Sequence, residues 1–139
     1  VHGSPRSPID EYILRSDVDE VLGENNAKVQ DAFEKTGHIT FIGHSHTPGI
    51  ITEKARFITL RDLENLRFKF ESDKKYLVNV GSVGQPRDKD WRSCYVVFDT
   101  DSEEMEYRRV EYDIDTTVRK IQKIPSIDDS LGERLRIGS

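Results

Sequence analysis

An apolar stripe at helical spacing that runs into a short apolar strand ending on Gly43-His44-Ser45-His46 constrains this chain more than any other feature. Val29, Ala32 and Phe33 form the stripe, Asn25 or Asn26 can cap it, and Gly37 suits the left-handed position after its last turn. Ile39–Ile42 follows as a short continuous apolar run. A helix feeding a buried strand is half of an alternating α/β unit. Such folds keep their chemistry at strand ends.

Here the strand end carries histidines at i and i+2, so one short turn presents both imidazoles. Neutral imidazole is the commonest protein ligand for zinc and similar ions. An isolated His-x-His arises easily by chance. His2, however, sits in Val1-His2-Gly3-Ser4-Pro5, another strand-to-loop junction, so three of the chain's four histidines lie where α/β proteins hold ligands. His38 opens the strand after Gly37 without a motif, and reads as structural or solvent-facing.

Elsewhere the pattern alternates between helix and strand signals. Ser16 can cap a helix carrying Val18, Val21 and Leu22, with Gly23 ending it. From Gly49 the strand candidates are Ile50–Thr52, Arg56–Leu60, Leu66–Phe70, Tyr76–Val80, Cys94–Phe98 and Met105–Tyr112. The last loses its alternation between Arg108 and Arg109, which predicts a β-bulge. Asp115 or Thr116 starts a helix through Ile124 that Pro125 stops, and Leu131–Ile137 reads as a final turn or helix. No repeat or linker divides residues 1–139, which are one domain's worth at most.

The net charge of −5 gives no electrostatic footprint for nucleic acid or anionic membrane. Cys94 lies in an apolar run and reads as a small buried residue. No apolar run is long enough for a transmembrane helix, no signal-peptide pattern is seen, and a cytoplasmic location is the expectation. The carboxylates of Asp99, Asp101, Glu103, Glu104 and Glu106, spread around a turn and along a strand, read as a solvated edge.

Three motifs in order resemble a known family: His2-Gly3-Ser4-Pro5, Gly43-His44-Ser45-His46-Thr47-Pro48 and Asn79-Val80-Gly81-Ser82-Val83-Gly84-Gln85-Pro86-Arg87-Asp88. Together they resemble the calcineurin-like metallophosphoesterases, most closely the bacterial branch of small phosphatases and phosphodiesterases. Leu131-Gly132-Glu133-Arg134-Leu135 also looks like that branch's terminal helix. The family's earlier Asp-x-His, Gly-Asp and Asn-His motifs have no counterpart here. The resemblance therefore implies the C-terminal half of one such domain, an α/β fold with a β-sandwich flanked by helices, with its N-terminal part absent.

It further implies metal-dependent hydrolysis of a phosphomonoester or phosphodiester by the parent protein. Two divalent ions (Mn, Fe, Zn or Ni) would serve it, His2 and His44 on one and His46 on the other. The bridging aspartate and remaining ligands would come from the missing half or a second chain, and the partial site would leave this chain inactive alone. A homo-oligomer is an alternative way to cover the exposed face. No residue here corresponds to the family's proposed catalytic acid. In the Asn79–Asp88 stretch, two glycines allow a turn with inward backbone N–H groups, and Arg87 is the candidate contact to substrate phosphate. The other reading of Arg87 is a structural ion pair with Asp88 or Asp90. The family's usual proline after the asparagine is replaced by Val80. A different function class, a non-catalytic metal-binding or interaction module that keeps only the histidines, is the alternative for the whole chain.

Overall fold

The computed structural model describes residues Val1–Ser139. After a 3-10 turn at Arg15–Asp17, Val18–Asp19 (β1) pairs antiparallel with Glu24–Asn25 (β2). The helix expected from Ser16 is therefore replaced by a hairpin. Asp19 Oδ1 accepts from the backbone N–H groups of Val21 and Leu22 at 3.0 and 2.9 Å, and Gly23 takes φ +70°. Local aspartate turn chemistry outcompetes an apolar pattern only a turn and a half long, and Val21 is left 94% exposed.

The next helix, Ala27–Glu34 (α1), forms as its stripe predicts. The Asn26 side chain accepts from Val29 N at 3.0 Å, and Val29, Ala32 and Phe33 are buried. Gly37 does not take the left-handed conformation. Instead Thr36 Oγ1 donates to the Ala32 carbonyl at 2.7 Å and closes the last turn.

Ile39–Ile42 (β3), Gly49–Thr52 (β4), Arg56–Ile58 (β5) and Tyr76–Asn79 (β7) make a four-stranded sheet in the order β3-β7-β4-β5. Arg67–Lys69 (β6), Ser93–Asp99 (β8) and Glu104–Val110 (β9) make an antiparallel sheet ordered β6-β9-β8. β3 and β7 run parallel, whereas β4 is antiparallel to β7.

β7 is buried along its whole length and divides two apolar cores. Leu77 joins Ile42, Ile51 and Phe57 against Val29, Ala32 and Phe33 of α1. Tyr76 and Val78 point the other way, joining Ile50 and Ile58 against Cys94, Met105 and Tyr107 of the second sheet. This is period-2 alternation in a strand covered on both faces, and it yields a helix layer, a sheet and a second sheet. Each large side chain so buried contributes about 1.5–3 kcal/mol of hydrophobic free energy.

The predicted bulge in β9 is absent: β8 and β9 pair without interruption from Ser93↔Val110 to Asp99↔Glu104. The apparent slip arose because the inward residue after Met105 and Tyr107 is Arg109, whose side chain is only 5% exposed and pairs with Asp88. Val110, apolar, faces out and is 45% exposed. The alternation is regular; the charged residue is inside.

Ile114–Gln122 (α2), capped by Asp113 on Thr116 N at 2.9 Å, and Ser130–Arg136 (α3) form a terminal pair, with Gly132 against Val118. No helix is long and apolar enough to cross a membrane.

Candidate metal and phosphate site

The parallel pair β3/β7 ends in register, with Ile42 opposite Asn79. Past that point one chain turns through Gly43-His44-Ser45-His46 and the other through Val80-Gly81-Ser82. Asn79 is buried and joins the two turns. Its Nδ2 donates to the Gly43 carbonyl and to Ser45 Oγ, each at 2.8 Å, while its Oδ1 accepts from Gly81 N at 2.9 Å. Tyr107 supports the arrangement from the second sheet, its hydroxyl lying 2.8 Å from the Asn79 carbonyl and 3.1 Å from that of Gly49.

The histidine turn is strained. His44 and His46 both have positive φ, 60° and 57°. Non-glycine residues in this region cost of the order of 1 kcal/mol or more and persist only when their surroundings hold them. Asn79 and Ser45 supply that hold.

His2, His44 and His46 all line one cavity of about 420 Å³, together with Phe41, Ser82 and Tyr95 among others. Gly43 N donates to the His2 carbonyl at 2.8 Å and the Val1 amino group reaches the Phe41 carbonyl at 2.9 Å, which draws the N-terminal segment along the edge of β3. His2 Nε2 and His44 Nδ1 then lie 2.8 Å apart although 42 positions separate them in sequence. Tyr12 stacks on the His44 ring with centroids 3.8 Å apart.

His46 Nδ1 is 2.8 Å from the Gln85 carbonyl. A carbonyl can only accept, so Nδ1 carries the proton and Nε2 keeps its lone pair. Burial pushes the His46 pKa below the usual histidine value, opposed by the Gln85 bond and aided by the charges of Arg87, His2 and His44. His46 is therefore held neutral at pH 7, the form that ligates metals.

The donor chemistry fits part of a metal site. Two ring nitrogens 2.8 Å apart need a proton or a cation between them, because facing lone pairs repel. A ring N–H on a backbone carbonyl is the usual way a ligating imidazole is oriented. The fit is partial, however: no group of three or more histidine, cysteine, aspartate or glutamate side chains is set to hold a metal ion. The chain brings imidazoles to the cavity but no carboxylate.

The Asn79–Asp88 stretch differs from its expectation. Gly81 takes φ +79°, and a Cβ there would come within 2.7 Å of Cys94 Sγ, so glycine is required. Gly84 is not left-handed. The amides of Gly84 and Gln85 are bound by Ser82 Oγ at 3.3 and 2.9 Å, so this turn is closed on itself and does not present them to an oxyanion. Asp88 and Asp90 pair with Arg109 and Arg92 rather than with Arg87. Arg87 is exposed, without an ionic partner, and lines the neighbouring cavity beside Thr47 and Pro48.

His38 is structural: its Nδ1 lies 2.7 Å from the Lys74 carbonyl, and its Nε2 is 3.4 Å from Glu103. Cys94 is buried, and burial raises its thiol pKa to about 11. Glu104 and Glu106 pair with Arg67 on the outer face of the second sheet, where β9 is the central strand, so the expected edge is instead a solvated face. Sequence reasoning missed the parts played by Asn79, Gln85 and Tyr107. Only Asn79 and Gln85 lay in a stretch already singled out, and a tertiary hydrogen bond leaves no periodic signal.

Comparison with known proteins bears on the fold. The chain is similar to the crystal structure of a metallophosphoesterase from Sphaerobacter thermophilus, with a TM-score of 0.79 and 33% identity over 100% of this chain and 54% of that one. The fold is metallophosphoesterase-like. In sequence the chain is 37% identical over 138 residues to the uncharacterized protein MJ0912 of Methanocaldococcus jannaschii, covering 99% of this chain and 50% of that protein. The chain thus spans about half the length of both relatives. No protein-family model matches it. The mixed α/β architecture, with two facing sheets and flanking helices, is that of part of a metallophosphoesterase-like domain.

Proposed function

We propose that the protein carrying this chain is a calcineurin-like metallophosphoesterase that hydrolyses a phosphomonoester or phosphodiester, and that His2, His44 and His46 are this chain's ligands for two divalent ions. The observation that carries the reading is the shared cavity of the three histidines, with His46 oriented by the Gln85 carbonyl and His2 facing His44. The likeness to a metallophosphoesterase supports the same chemistry.

Divalent ions at such a site supply Lewis acidity toward phosphoryl oxygens and lower the pKa of an attacking water. The chain's own residues do the positioning. Asn79 fixes the strained turn, the Gln85 carbonyl holds His46 in one tautomer, and Tyr12 stacks on the His44 ring. Three neutral imidazoles bring no negative charge, so the bridging carboxylate and the group that protonates the leaving oxygen come from polypeptide outside residues 1–139. Residues 1–139 alone are then inactive.

The test is hydrolysis of p-nitrophenyl phosphate and bis-p-nitrophenyl phosphate by the full-length protein and by residues 1–139, with and without Mn²⁺. Metal-dependent turnover by the full-length protein, lowered at least about a hundredfold by His44→Ala or His46→Ala, is expected. Turnover unaffected by either substitution contradicts the ligand assignment, and turnover by residues 1–139 contradicts the need for further polypeptide.

A further inference from the structure

A second cavity opens immediately beyond the histidine turn. Thr47 and Pro48, which follow His46 directly, form part of its wall, and Arg87 N donates to the His46 carbonyl at 3.1 Å. Its volume is about 290 Å³, near the lower end of the roughly 300–1,000 Å³ typical of ligand pockets. Its charged lining is Arg15, Arg61, Arg87, Lys89 and Asp88. The lone carboxylate is already bound, because the buried Arg109 guanidinium holds Asp88 from below.

The cations are not so engaged. Arg61, Arg87 and Lys89 make no salt bridge, and Arg15 reaches Glu20 only at 3.9 Å. Arg61 and Lys89 also line an adjoining cavity of about 510 Å³, where Asp88 and Asp90 are offset by Arg109 and Arg92, so the two unpaired cations face both cavities. In a chain of net charge −5 this is a local reversal of sign. Clustered cations without counter-ions repel one another, and an anion seated among them relieves that cost. Arginine forks also match phosphate oxygens geometrically.

We propose that this cavity is a second anion subsite, formed by Arg15, Arg61, Arg87 and Lys89, which binds a further phosphate of the substrate while the histidine cavity holds the phosphate being cleaved. The substrate class is then a compound with two or more linked phosphates. As an extension of the phosphoesterase reading, the proposal rests on it, but anion binding can be measured without turnover.

The experiment is calorimetric titration of the full-length protein with inorganic pyrophosphate and with orthophosphate, in EDTA at low ionic strength. The variants are Arg61→Gln/Lys89→Gln and His44→Ala, with circular dichroism checking that each remains folded. Both anions should bind the metal-free protein at this subsite, whose cations need no metal. The arginine–lysine double variant should lose at least tenfold in affinity for each, and His44→Ala should retain it. Absence of anion binding to the metal-free protein overturns the proposal, as does anion binding that survives the double substitution. Failure of the phosphoesterase reading would look different: pyrophosphate binding intact, with no hydrolysis of any phosphoester by the metal-loaded protein.

Discussion

The turn between β8 and β9 and the histidine turn after β3 both place non-glycine residues at positive φ, yet they are held in opposite ways. In the first, Glu103 sits at φ 52° and Asp99 Oδ1 caps the backbone N–H groups of Asp101 and Ser102 at 2.9 and 3.0 Å. Its cap is local, with Phe70 N and Lys69 Nζ adding bonds from the neighbouring strand to the Glu103 and Ser102 carbonyls. In the second, His44 and His46 are held by Asn79, which lies 36 residues from Gly43 and 34 from Ser45. One turn is capped by its own aspartate. The other is clamped from a different strand, and its side chains are left free to face a cavity.

That contrast orders the expected effects of substitution. Asn79→Leu should be the most damaging, because it leaves buried Ser45 Oγ and Gly81 N without their partner and takes one of two bonds from the Gly43 carbonyl. Unsatisfied buried groups cost about 1–3 kcal/mol each, so a total loss of about 3 kcal/mol or more is expected in urea unfolding, with the His44 and His46 ring signals broadened. A smaller step is Tyr107→Phe, which removes a hydroxyl from the Gly49 and Asn79 carbonyls at the same strand ends. It should cost about 1–2 kcal/mol and shift the histidine signals without broadening them.

Asp99→Ala should cost about 1 kcal/mol or less; His38, beside Glu103, is free to shift, but the His2, His44 and His46 signals should stay in place. If it disturbs them, the two turns are not independent.

The smallest effect concerns pH. The His46 pKa is depressed in the folded protein, mainly by burial. The unfolded chain therefore binds its proton more readily, and His46's contribution to stability is present above the ordinary histidine pKa of about 6.5. It is lost as pH falls from there through the folded value. Replacing His46 with Gln should flatten the stability profile over that window, whereas a profile identical to the wild type means that the imidazole is not held neutral by its surroundings.

What could be read from the sequence follows the same division. Helix α1 was legible because its cap and stripe lie within one short segment, although Thr36 rather than Gly37 closes its end. The strands were legible from short apolar runs in the first sheet and from period-2 burial along β8 and β9. The helix expected at Ser16 failed where Asp19 offered the backbone a local alternative. The bulge expected in β9 failed because Arg109, a charged residue, occupies an inward position through its pairing with Asp88. At the site, the histidines were visible as a motif. The Asn79 clamp, the Gln85 carbonyl and the cationic cavity around Arg61 and Lys89 were not, since each depends on segments brought together only by the sheet order β3-β7-β4-β5.

The most direct test of the account is the protonation of the histidine rings, read by long-range ¹H–¹⁵N NMR at pH 7.5 before and after addition of Zn²⁺ to the full-length protein. The clamped turn predicts His46 as the Nδ1–H tautomer in the metal-free protein, with Zn²⁺ shifting His46 Nε2 and the facing nitrogens of His2 and His44 while His38 stays unmoved. His46 found as the Nε2–H tautomer, or Zn²⁺ shifts at His38 with none at His2, His44 and His46, would contradict it.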